Sequence, residues 1–200
     1  MKILNHTIVS NGEISDSQGL CFSSGEKKLK PFLKEYYKSE HIVYPKFYKM
    51  DEQCKLAFIA SEVLLQQFDR EKYKDEEIAL IFANSESTLA TDRSFWESTL
   101  SIASPGLFVY TLPNIMMGEI AIRNKIKGEN IFFVSEEFDA NLLYLQTELV
   151  FLNTSAQIAL VGWVNYESEK SYLAKLFLVA KSNEGKNNFD VEYLQNLNNE

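Results

Sequence analysis

The chemistry-capable residues of this chain concentrate at Glu136 and Glu137, in "GENIFFVSEEFDANLLYLQTELVFL". The pair stands between a β-rich apolar run and a helix-forming one. Adjacent carboxylates can ligate a hard cation, exchange a proton, or stabilise a helix N-terminus. Glu136 and Glu137 lack His or Asp ligands nearby at suitable spacing, so no metal site is expected. A carboxylate in an apolar pocket can have its pKa raised into a useful range. On that reading Glu137 is a general acid or base, although the sequence offers no oxyanion partner. The simpler reading is that a glutamate in a first helical turn suits the helix dipole. Cys21 and Cys54 form no CxxC and there are no paired histidines, so neither a disulfide framework nor a zinc site is written here. Cys54 reads as core, Cys21 as a loop thiol with nothing near it to signal reactivity. No cofactor is expected.

Two hundred residues, 46% of them hydrophobic and 13% aromatic, are enough for one domain with a real core. A net charge of −8 and a pI near 5.0 argue against binding nucleic acid, because no basic stripe is available to displace counterions. The opening "MKILNHTIVSNGEIS" is unlike a signal peptide, and the apolar runs fall short of the roughly 20 residues that cross a bilayer. Together with the cysteine usage, this predicts a soluble, cytoplasmic protein. Composition turns Asn-rich at the end, predicting a domain over 1–181 and a loosely held tail over 182–200 with one short helical turn.

Hydrophobic periodicity supplies the elements that must position Glu137. "KILNHTIVS" reads as a strand, followed by some 40 residues of excursion rich in Gly and Pro, with short helical pieces. Asp51 can cap a helix whose apolar residues Cys54, Ala57, Phe58, Leu64 and Leu65 recur at three-to-four spacing, with Gln53, Lys55, Glu62 and Gln66 as its wet face. "EEIALIFAN" is a buried strand, and "STLATDRSFWESTLSIA" leads away from it as helix or loop. The chain turns at Leu112-Pro113-Asn114 into a helix capped by Asn114, where Gly118 allows close approach of another backbone. Then follow a strand at "NIFFVS", the helix "FDANLLYLQTELVFL", and strands "AQIALVGWVN" and "KSYLAKLFLVAK", paired antiparallel across Tyr166 to Lys170. Alternating strands and helices predict an α/β layer with a mostly parallel sheet.

The helix after Glu137 has no polar stripe. At 100° per residue, Asn141, Gln146, Thr147 and Glu148 scatter among Leu142, Leu143, Tyr144, Leu145, Leu149, Val150, Phe151 and Leu152. A helix apolar all round must be covered all round. One sheet covers one face, so another subunit or another part of the chain must cover the rest.

The stretch "SPGLFVYTLPNIMMGEIAIRNKIKGENIFFVSEE" resembles the β-ketoacyl-ACP synthases of the thiolase fold: Ser-Pro, an aromatic-rich strand, Pro-Asn, a Gly four residues later, Ile-Ala-Ile, then Gly-x-Asn before the nucleophile turn. "KMDEQCKLAFIASEVLL" is similar to that family's first long helix and "AQIALVGWVNYE" to the strand after its nucleophile helix. The likeness covers roughly residues 1–181, as the N-terminal half of such a synthase. It implies a thiolase-like half with one five-stranded mixed sheet and helices on both faces.

The departures from the pattern carry as much as the matches. Counting from Asn114, the acylated cysteine of the family falls at Glu137, which cannot hold a thioester. The family's histidines lie in a C-terminal half, and His6 and His41 occupy the wrong segments to replace them. The family's glycine-rich turn is here Asn84-Ser85-Glu86-Ser87. Such a half looks like a chain-length-factor-type subunit, the inactive partner of a full-length ketosynthase, of the kind associated with aryl-polyene and flexirubin-type pigments. The resemblance implies that Leu107 and Phe108 reach across a dimer into the partner's acyl pocket. It makes the strand at Asn130, with Phe132, an edge that pairs with its mate, places Phe138 beside the vacant nucleophile position, and makes Pro113, Asn114 and Gly118 a structural turn. Ordinary core packing is the plain reading of Leu107 and Phe108, and burial under a loop that of the strand. With such a likeness, the alternatives are an enzyme using Glu137 as acid or base on an acyl thioester or a β-keto acid, for example in decarboxylation, and a homodimeric binder of acyl carrier protein or of a hydrophobic small molecule, against which the acidic charge counts mildly.

Overall fold

The computed structural model describes residues 1–182, 185 and 187–198. Three parallel strands form its centre: β4 (Ile78–Asn84), flanked by β5 (Asn130–Val134) and β6 (Ile158–Ser168). Every residue of β4 is buried, which requires helices on both faces of the sheet. On one face lie α1 (Leu29–Ser39), α2 (Glu52–Leu65) and α5 (Ile115–Asn124), packed over Leu80, Phe82 and Leu160. On the other lie α6 (Ala140–Asn153) and α7 (Val191–Asn198), over Ala79, Ile81 and Val161. Between β4 and α5 run α3 (Leu89–Thr99) and the single turn α4 (Pro105–Phe108).

The sheet is larger and less parallel than expected. Its order is β3-β2-β1-β7-β6-β4-β5, with β8 (Asn187–Asn188) beside β1, eight strands among the described residues rather than five. Only the β5-β4-β6 portion is parallel. β1 (Lys2–Ser10) and β7 (Ser171–Ala180) pair antiparallel with each other, and β7 with β6, as expected of the last two strands. The unexpected strands β2 (Glu13–Asp16) and β3 (Gly19–Ser23) fold out of the predicted excursion. They are short and polar, hence weak in periodicity, but Asn11-Gly12 marks the first turn: both residues hold positive φ, 52° and 81°, in a two-residue hairpin that closes Ser10 on Glu13.

Helix α2 has no wet face; of the four residues expected there only Gln66, just past its end, is exposed. Asp51 caps it as expected, accepting from the Cys54 amide at 2.8 Å, but Gln53 and Lys55 are buried. Gln53 donates to the Ser87 carbonyl and the Lys55 ammonium reaches Glu52. Glu62 is held by the Arg123 guanidinium at 2.9 Å. Polar residues usually mark solvent, and here they mark contacts between elements. The turn at Asn114 also differs in detail: Asn114 occupies the cap position of α5 without a side-chain hydrogen bond, and a Cβ on Gly118 would meet open space. The glycine is not required by a close backbone.

The segment after 181 is more than a loose tail. Phe189 and Leu194 are buried against the α6 side of the sheet, Tyr144 stacks near Phe189, and buried Lys175 donates to the Leu197 carbonyl at the end of α7. Residues 183, 184, 186, 199 and 200 of that expected tail lie outside the described residues.

Gly162 of β6 is where a close approach does demand glycine: a Cβ there would collide with the Lys175 carbonyl of β7. Gly162→Ala should therefore cost about 3 kcal/mol, the upper end of ordinary overpacking, measured as a lower urea midpoint with an unchanged m-value.

Candidate functional site

The carboxyl ends of β4 and β5 bring two turns together beside β6, the location where open α/β sheets place their crevices. The turn after β4 is built without glycine. The Asn84 side chain accepts from the Ser87 amide and donates to the Ser87 carbonyl, both at 2.9 Å, while Asn165 of β6 accepts from the amides of Ser85 and Glu86 at 3.2 Å. Two asparagines thus do by side-chain bonding what a flexible backbone does elsewhere. The turn after β5 joins it, the Ser135 amide donating to the Asn84 carbonyl at 3.0 Å.

Glu136 and Glu137 sit in this second turn, before the helix and not in its first turn as expected. Asp139 is the cap of α6, accepting from the Leu142 amide at 2.9 Å, and no acidic residue follows it in the first turn. A capping aspartate three residues ahead of the amide it serves sets the helix start, so the glutamates are left in the bend. Both are exposed, and Ser135 donates its hydroxyl to the Glu137 carbonyl. This chain alone does not enclose Glu137 in the apolar pocket that acid-base chemistry at neutral pH needs. Phe138 is half-buried, edge-on to Trp163 at 6.3 Å between ring centres.

The other candidates distribute over two faces. Phe132 packs on the α5 side and Phe138 on the α6 side, so the sheet separates them. Asn130 is exposed at the opposite end of β5 from the turns, and β5 is the outermost strand at that side of the sheet, with Val134 58% exposed. Leu107 to Tyr110 is helical, closing as a 3₁₀ turn at Val109–Thr111, where a strand was expected. Pro105 at the first helical position and the Ser104 cap explain it. Leu107 is half-buried, whereas Phe108 stands 55% exposed and touches Phe95 at 5.4 Å. Trp96, Leu100, Ile102, Val109 and Leu112 extend an apolar surface around it, with a cavity of about 580 Å³ beside Phe95, Trp96 and Thr111. Pro113 follows directly, half-buried.

Below this surface lies a polar cluster that the sequence reading missed. Glu119, 1% exposed, receives Lys46 at 2.9 Å and lies 3.5 Å from the Tyr110 hydroxyl; its Oε2 is buried with no hydrogen-bond partner among the described residues. Burial and the neighbouring Glu119 push the Tyr110 phenol up, keeping it a neutral donor. Asp51, raised by burial, accepts from Thr91 at 2.6 Å, and Thr88 donates to the Thr111 carbonyl at 3.1 Å. The segment carrying Phe108 is therefore anchored at Tyr110 and Thr111. A lone acidic residue inside "IMMGEIAI" was the available signal. The cysteines give no reactive thiol: burial drives Cys54 up, and partial desolvation with nearby Asp16 raises exposed Cys21. His6 lies on β1 and His41 in the loop after α1, as their sequence positions implied. No group of three or more metal-ligating side chains and no helix long and apolar enough to cross a membrane occurs among the described residues.

No family model matches the chain, and no curated protein matches it in sequence. Solved structures do. The ishigamide ketosynthase/chain length factor superposes with a TM-score of 0.68 at 17% identity, over 93% of this chain and 63% of that one. The chain has the fold of a ketosynthase/chain-length-factor protein. It spans 63% of the length of that structure's chain. The ketosynthase ApeO in complex with its chain length factor ApeC, from Xenorhabdus doucetiae, gives 0.58 at 13% identity, over 90% of this chain and 79% of that one. AntDE:AntF, a type II PKS acyl-carrier protein in complex with its ketosynthase, gives 0.53 at 13%, over 72% and 50%. The mixed sheet with helices on both faces is the thiolase-like arrangement that the sequence resemblance implied.

The Glu119–Lys46 pair gives a direct test of the anchor. Lys46→Met should cost about 2 kcal/mol, less than a fully buried pair because Lys46 is half exposed, and adding Glu119→Leu should recover most of it. Urea unfolding of the two single variants and the double variant measures the coupling.

Proposed function

We propose that this chain is a catalytically inactive, ketosynthase-like subunit that pairs with a full-length ketosynthase and helps shape its acyl pocket, in fatty-acid or polyketide-type synthesis such as that of polyene pigments. The observation that carries the reading is Glu137: on a synthase-like fold, the turn that the resemblance assigns to the acylated cysteine holds an exposed carboxylate. A carboxylate cannot be acylated and held as a thiolate can. The mechanism is then shape and not bond making. Two features supply the shape. β5 offers a strand edge unpaired among the described residues, the kind of edge that proteins cover or pair. The exposed apolar segment around Phe108 is rigidly anchored through Tyr110, as a side chain reaching into a neighbour's pocket must be. The acyl carrier protein meets such a pair through its substrate, and this chain's own acidity favours docking on the synthase.

Co-expression with a full-length ketosynthase, followed by native mass spectrometry and product analysis, tests the proposal. The two chains should purify in equal copy number. Phe108→Ala should shift product chain length without dissolving the complex, and Glu137→Gln should change neither. A chain that ignores the ketosynthase and leaves its products unaltered sinks the reading; turnover that disappears in Glu137→Gln would favour acid-base chemistry instead.

A further inference from the structure

We infer that Ser98 is a positioning residue for Phe108: its hydroxyl joins the end of α3 to the start of α4 and so fixes where the Phe108 ring projects. The loop between Ser98 and Ser104, Thr99 to Ala103, is exposed at every residue, so it sends no side chain into the core to hold its shape. One hydroxyl, used twice, spans it. Ser98 donates to the Phe95 carbonyl at 2.7 Å within α3 and accepts from the Ser104 amide at 3.1 Å across the loop. Ser104 then starts α4: its carbonyl accepts from the Phe108 amide at 3.1 Å and its hydroxyl from the Leu107 amide at 3.3 Å. A continuous series of hydrogen bonds therefore runs from the backbone of Phe95 to the backbone of Phe108, the two residues whose rings meet at 5.4 Å between centres.

On its other side Phe108 is held by the Thr111 hydroxyl, which donates to the Phe108 carbonyl at 2.7 Å, while Thr88 holds the Thr111 carbonyl. The ring itself is 55% exposed and has Phe95 as its one ring contact among the described residues. That contact alone does not select one position, because an aromatic pair accepts a range of offsets with centres roughly 4.5 to 7 Å apart. Nor does α4 hold itself, since a single helical turn is unfavourable in isolation. Ser98→Ala leaves the Ser104 amide without this acceptor, and α4 is then placed from the Tyr110 and Thr111 side only. The consequence for selectivity rests on the partner reading above. There, a Phe108 ring with one seat in the ketosynthase pocket sets a sharp limit on an apolar acyl chain, and a ring with several seats sets a blurred one. Ser98 acts on that limit through Phe108.

The full chain carrying para-fluorophenylalanine at position 108 reads the ring position without any partner. Its fluorine NMR spectrum should hold one resonance in the wild type, a shifted or divided one in Ser98→Ala, and the wild-type resonance again in Ser98→Thr, which keeps the hydroxyl. Far-ultraviolet circular dichroism should be the same for all three. An unmoved resonance in Ser98→Ala, or a change that Ser98→Thr does not reverse, overturns the inference. Co-expression with the ketosynthase separates it from the partner reading. Ser98→Ala should lower the ratio of the main product to its neighbours about fivefold without dissolving the complex, the population shift that one lost hydrogen bond allows, and Ser98→Thr should restore it. Products that respond to Phe108→Ala but not to Ser98→Ala retain the partner reading and overturn the selectivity role of Ser98. A resonance that moves while products ignore both variants retains Ser98 as the residue that places Phe108 and overturns the pocket role of Phe108.

Discussion

A strand buried on both faces must be roofed twice, and β4 is such a strand from Ile78 to Asn84. The first roof is complete. Helices α2 and α5 close it so fully that even Gln53, Lys55 and Glu119 are drawn inside and have to be matched by Ser87, Glu52 and Lys46. The second roof is α6, whose inner side meets β4 while its outer side keeps the leucines that a third layer would cover. Because α6 is nearly as apolar outside as inside, the sheet is satisfied by its sequence but the helix is not. Most of what distinguishes this molecule follows from that imbalance.

The turns at the carboxyl ends of the parallel strands depend on the same core. β4 and β5 end level with one another while β6 runs on to Ser168, and residues at that level bind the turns: Asn84 holds its own turn and receives Ser135, and Asn165 of β6 holds Ser85 and Glu86. A turn locked by side-chain hydrogen bonds keeps a fixed shape at the cost of the backbone freedom that glycine would give. The Glu137 turn beside it is fixed by Ser135 and the Asp139 cap. That turn is held in shape while its carboxylate stays in solvent.

What the sequence made legible was the set of strongly patterned elements: the buried run at β4, the edge strand β5, the β6-β7 hairpin and the helix without a polar stripe. Those signals come from hydrophobic period and length, which survive a sequence identity of only 17% to a solved relative of the fold. The misses have a common physical origin in polar residues whose partners are distant in sequence. Gln53 and Lys55 looked solvated because nothing local reveals Ser87 or the packing of α5. The polar strands β2 and β3 carried little periodicity, although Asn11-Gly12 marked their turn. Glu136 and Glu137 looked like the start of a helix because a first-turn glutamate and a pre-cap glutamate differ only in which neighbour does the capping, and Asp139 does it here. Leu107 to Tyr110 was an aromatic-rich strand only in the resemblance, and Ser104 and Pro105 start a helical turn there.

Two apolar surfaces remain, and their directions separate their roles. The surface around Trp96, Leu100, Ile102 and Phe108 belongs to the α3–α4 excursion, while the leucine stripe belongs to α6 on the far side of the sheet. The first is irregular, aromatic-rich and bordered by a cavity. The second is regular and purely aliphatic, the mark of helix packing, where complementarity comes from spacing and not from any one anchor. A single flat partner cannot meet both, because the sheet lies between them. The α3–α4 excursion and α6 thus leave apolar surface on opposite faces of one sheet.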